Sequence, residues 1–159
     1  MEKYYIVLAV MTGIYLGLCA WWDIKDRMIY TFPCMVLTGL WIGYSVMRGV
    51  VEPRILMLYI GLFSVLYITF VLTKAWGGGD SDLLLLYVAV YIAQMSGKFS
   101  LYDISIQCIG IAIVLIIAAI VGFVEARVKG ERLERDSSIA IAPGYAVVIS
   151  YFMIGGLLR

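Results

Sequence analysis

Hydrophobic positions group along this chain into six runs, at about 4–22, 33–50, 55–74, 82–97, 104–124 and 139–157, each bounded by charges, glycine or proline. Most of them approach the roughly 18–22 residues with which a helix crosses a bilayer. No internal repeat or low-complexity linker divides the chain. The pattern predicts an all-α membrane protein, a bundle of six transmembrane helices forming a single domain over residues 1–159. Aromatic residues near the run ends (Tyr4, Tyr5, Trp21, Trp22, Tyr30, Trp76 and Tyr102) fit the belt that such rings form at headgroup level.

Composition supports the same class. Apolar residues make up 64% of the chain and charged ones 14%, against roughly 45–50% apolar in soluble domains. The first run, about 4–22, is longer than a signal-peptide core. Leu16-Gly17-Leu18-Cys19 resembles a lipoprotein cleavage box, but Leu18 is too large for the position before the cut, so this run is expected to remain as a helix.

With six spans, the loops after the first, third and fifth share one membrane side. They carry Lys25, Arg27, Lys74, Arg127, Lys129, Arg132 and Arg135, seven cations against five (Lys3, Arg48, Arg54, Lys98 and Arg159) on the other side. The positive-inside bias turns these three loops to the cytoplasm. The mixed-charge segment 125–136 is expected to be a solvated helix extension. Ser137 or Ser138 is expected to cap the sixth helix, and Pro143-Gly144 to bend its cytoplasmic half or form a wall of a site.

Candidate chemistry is narrow. The net charge is +1 and there is no histidine, which removes Ser-His and Cys-His pairs and the commonest metal ligand. Nucleic-acid binding has no electrostatic basis in that charge. Cys19, Cys34 and Cys108 form no CxxC pair, so a zinc ribbon is excluded and burial as small hydrophobes is the expected fate. No metal and no other cofactor is expected. What remains is carboxylate chemistry.

Asp23 closes the first run, and Asp80 opens the fourth after Gly77, Gly78 and Gly79. By span parity they share a membrane face. Two adjacent carboxyls, one ionised and one protonated, can hydrolyse a peptide without metal, serine or cysteine, because proximity keeps both from ionising together. Each aspartate also has a plainer reading: Asp23 as an ion-pair partner of Arg27 one turn on, Asp80 as a helix N-cap after a glycine turn.

Gly77-Gly78-Gly79-Asp80 resembles the G-x-G-D signature of membrane-embedded aspartic proteases, and the surroundings resemble the type IV prepilin peptidases, including the archaeal preflagellin peptidases. In that family a first aspartate ends the first core helix and is followed seven residues later by proline; Asp23 takes that place, with Tyr30 where the proline would be. The second aspartate, that of G-x-G-D, maps onto Asp80. Where relatives continue Asp-x-Lys-Leu-Leu, this chain reads Asp80-Ser81-Asp82-Leu83-Leu84, and Ile141-Ala142-Pro143-Gly144 resembles the Ala-Pro element of the last helix.

The resemblance implies an aspartic endopeptidase of the short kind, without N-methyltransferase activity. It would remove the leader of prepilin-like proteins at the cytoplasmic face of the cell membrane. Asp23 and Asp80 would be catalytic, and the substrate would carry a basic leader, a glycine before the cut and an apolar helix after it. Gly77, Gly78 and Gly79 would let a backbone approach closely, and Asp26 and Asp82 would attract the leader by charge. The alternatives are a non-catalytic bundle, such as a transporter or a pilus or secretion assembly subunit, and a family member that binds pilin-like helices without cutting them.

Overall fold

A computed structural model describes residues 2–49, 52–73, 78–95, 101–130 and 139–158. These residues form six helices: α1 (Glu2–Asp26), α2 (Thr31–Arg48), α3 (Pro53–Thr73), α4 (Gly78–Gln94), α5 (Leu101–Lys129) and α6 (Ala142–Leu157). No strand occurs among them. Two helices are long and apolar enough to be candidate membrane spans, Lys3–Asp26 with mean hydropathy 1.7 and Tyr102–Lys129 with 2.9. Shorter apolar helices cover Pro53–Thr69 and Ala142–Leu157.

The helix at the centre is α4, which packs on α2, α3 and α6. Its residues from Leu83 to Ala93 are buried almost all round, the mark of an interior helix rather than a one-faced one. The second hub is α6, against α1, α5 and α4. By contrast α1, α3 and α5 expose large apolar side chains outward, among them Ile14 and Trp21, Met57 and Val65, and Ile116 and Phe123. Apolar surface on this scale needs an apolar surround or a partner. Cys19 and Cys34 are buried free thiols, as expected, whereas Cys108 is exposed on α5.

Contacts between helix ends sort the connections. At one end the C-terminus of α1 meets the N-terminus of α6, through Asp23 and Ala142. There too Arg27, just past α1, pairs with Glu125 near the end of α5 at 2.5 Å. At the other end the Tyr5 hydroxyl donates to the Met153 carbonyl (2.7 Å) and accepts from the Gln94 amide (2.6 Å), and Arg48 donates to the Ala93 carbonyl (3.2 Å). Between them the Trp41 indole donates to the Thr12 hydroxyl at 2.9 Å, which satisfies two buried polar groups at once.

Of the boundaries that depart from the hydrophobic runs, three have a physical reason. Helix α4 begins four residues before its apolar run, because acidic residues in a first turn are favoured by the helix dipole. Helix α5 continues to Lys129, its last turn carrying Arg127 and Lys129, where the dipole favours cations. Helix α6 begins at Ala142, three residues after its run. Pro143 therefore sits in the first turn, where a missing N–H breaks no helical hydrogen bond, and the expected bend within a longer helix is corrected to a helix start.

Candidate active site

Asp23 lies in the last turn of α1 and is 5% exposed. Its Oδ2 accepts a hydrogen bond from the Ala142 backbone N–H at 2.9 Å. The N-cap residue of α6, Ile141, offers no side-chain cap, so a carboxylate 119 residues away takes that role. The first turn of a helix leaves its N–H groups without intrahelical partners and carries a partial positive charge. A buried carboxylate is the natural occupant of such a place. Ser137 and Ser138, expected as caps, lie outside the described residues.

The side-chain pair of Asp23 with Arg27, the plainer of the two readings of Asp23, is not what forms. Arg27 ends α1 in the left-handed region (φ 54°), a conformation that costs a residue with a side chain about 1 kcal/mol or more. Its guanidinium donates to the Asp23 main-chain carbonyl (3.4 Å) and to the Glu125 carboxylate, which Lys129 shares at 2.8 Å. Glu125, expected to be a solvated charge, is instead largely covered and ties α5 to the α1–α2 corner.

Asp80 stands in the first turn of α4, half-buried. It lies near enough to the Tyr145 side chain of α6 for its charge to act on that phenol. Gly79 explains how α4 approaches the α1–α2 connection: a Cβ built there would lie 2.5 Å from the Ile29 Cβ, so that connection rests directly on the glycine backbone. The Tyr15 hydroxyl holds that connection by donating to the Tyr30 carbonyl at 2.9 Å. Gly78 is the first residue of α4, and Gly77 lies outside the described residues.

The two outer acids part company. Asp26 is exposed at the end of α1 and is open to a charged partner. Asp82 is not: it is 1% exposed, and neither carboxylate oxygen has a hydrogen-bond partner among the described residues. Residues two apart on a helix point to nearly opposite sides. Asp80 accordingly lies by α6, while Asp82 lies by Cys34 of α2 and Tyr67 of α3. Asp82, expected to attract a leader peptide, is covered by helix packing in this structure.

Pro143 and Gly144 act on the site through the backbone. A Cβ at Gly144 would collide with the Val114 carbonyl oxygen, so this glycine sets the close approach of α6 to α5. The side chain that hydrophobic patterning passed over is Tyr145, fully buried next in line and with no hydrogen-bond partner for its hydroxyl among the described residues. Its only sequence signal is its place directly after Pro143-Gly144. Among the described residues no three Cys, Asp or Glu side chains gather as a metal site.

Comparison of the chain with models of known protein families, with curated proteins and with solved structures finds no match in any of the three.

Proposed function

We propose that the chain is a multi-pass membrane aspartic endopeptidase that cleaves the leader peptide of prepilin-like proteins at the cytoplasmic face of the cell membrane. Its six helices are the membrane bundle, and Asp23 and Asp80 are the catalytic pair. The observation that carries this reading is the shared border on α6: the Ala142 N–H holds Asp23, and Tyr145, one turn on, lies by Asp80. Asp23 of α1 is thus bound at the start of α6, and Asp80 of α4 lies within electrostatic reach of a side chain three residues further along it.

In the reaction the water oxygen bonds to the scissile carbonyl carbon and one water proton passes to the ionised carboxylate. The protonated carboxyl donates to the carbonyl oxygen. Collapse of the tetrahedral species breaks the C–N bond as the amine nitrogen takes up a proton. The pair shares its proton as a unit. The Gly79 backbone is where Ile29 packs, and it brings the α1–α2 connection, which follows Asp23, against the start of α4 beside Asp80. Asp26 is the exposed acid left to meet a basic leader.

A second reading has one observation in its favour. Asp23 already serves as the cap of α6, and a purely structural carboxylate in a non-catalytic bundle would be placed the same way. Co-expression of a prepilin-like substrate with wild type, Asp23→Asn and Asp80→Asn, followed by the mass of the mature amino terminus, separates the two. The peptidase reading expects cleavage by wild type and none by either variant. Cleavage that survives either substitution refutes the pair.

A further inference from the structure

We propose that Tyr145 is a third member of this site, a hydrogen-bond donor to the oxygen of the scissile carbonyl as it becomes tetrahedral; the inference rests on the peptidase reading. Three observations carry it. The Tyr145 side chain is fully buried, yet its hydroxyl has no hydrogen-bond partner among the described residues. Buried hydroxyls are almost always paired, because an unpaired one forfeits about 1–3 kcal/mol. A native structure that keeps one next to a candidate reaction centre is holding a donor ready for something that arrives later.

The second observation is place. Tyr145 lies three residues after Ala142, so the turn that binds Asp23 also presents the phenol by Asp80. A substrate carbonyl that meets Asp23 is therefore one helical turn from this phenol. The third is rigidity. The Gly144 backbone is locked against Val114, and the Tyr145 ring packs at 6.3 Å from the Tyr87 ring. The neighbouring Tyr87 hydroxyl donates to the Gln107 carbonyl at 3.2 Å rather than to Tyr145. A preorganised donor in a water-poor site stabilises developing charge without reorganising when the charge appears.

The test is Tyr145→Phe, assayed against a prepilin-like substrate beside wild type, Asp23→Asn and Asp80→Asn, with a thermal melt of each protein. The expected result is a kcat lower by about 10²-fold with KM unchanged, the signature of an interaction made only in the transition state. The melting temperature should hold or rise, because an unpaired hydroxyl has left the interior. Wild-type kcat in Tyr145→Phe, with both aspartate variants inactive, overturns the donor and leaves the carboxylate pair standing. A drop of several degrees in melting temperature overturns it too, since the hydroxyl would then be a structural bond. If wild type itself does not cleave, the peptidase reading falls and the donor falls with it.

Discussion

Asp23 carries two roles that substitution can pull apart. Asp23→Ala removes both the carboxylate and the acceptor for the Ala142 N–H, whereas Asp23→Asn keeps an oxygen acceptor in nearly the same place. A buried N–H left without a partner costs about 1–3 kcal/mol, and loss of a helix cap about 0.5–2 kcal/mol. These describe one bond and are not to be added, so the Ala variant should be less stable than the Asn variant by about 1–2 kcal/mol. In a chain of this size each kcal/mol moves the melting temperature by roughly 2–4 °C. The Ala variant should then melt about 2–8 °C below the Asn variant. Tryptophan fluorescence in detergent micelles, drawn from four tryptophans including Trp21 and Trp22 just before Asp23, follows the transition. Hydrogen exchange over residues 139–145 should accelerate in the Ala variant alone. Both variants should be inactive in leader cleavage. Coincident melting of the two, within about 1 °C, would refute the cap, and a stable but inactive Asn variant would assign its lost activity to chemistry.

Two further substitutions probe packing and burial. Gly144→Ala drives a methyl into the Val114 carbonyl, which as backbone cannot turn aside, and should cost about 3 kcal/mol or more. Gly79→Ala meets the Ile29 Cβ in a short connection that can shift and should cost about 1–2 kcal/mol, with Ile29→Gly restoring part of it; equal losses at the two glycines, measured by thermal melts, would contradict this ranking. Asp82→Asn withdraws a buried carboxyl that has no partner among the described residues and should raise stability by about 1 kcal/mol, with cleavage retained; a comparable fall would mean that the carboxylate is paired.

Much of the fold was legible because helix formation is written locally. Each of the six apolar runs has most of its length on one of the six helices. The boundaries slipped where electrostatics outweighed hydropathy. Asp80 and Asp82 were expected at the entrance of α4 and are inside it, since a helix dipole welcomes acids in its first turn. The start of α6 moved to Ala142 because proline is at ease in a first turn. Asp23 and Asp80 stood out as carboxylates at run ends, but Tyr145 did not, for a tyrosine in an apolar run looks like any other packed ring.

By itself the amino-acid sequence determined six helices, the ends at which their carboxylates lie and the absence of histidine chemistry. These follow from periodicity and composition, which each segment carries alone. Only the tertiary structure decided who meets whom. It put the Ala142 N–H on Asp23, turned Arg27 to Glu125, buried Asp82 between α2 and α3 and buried the Tyr145 hydroxyl, within electrostatic reach of Asp80, without a partner among the described residues. Such pairings join residues as far as 119 positions apart, and no local pattern encodes them. They arise when six helices compete to cover one another's faces, and the polar groups caught inside take whatever partner the packing brings.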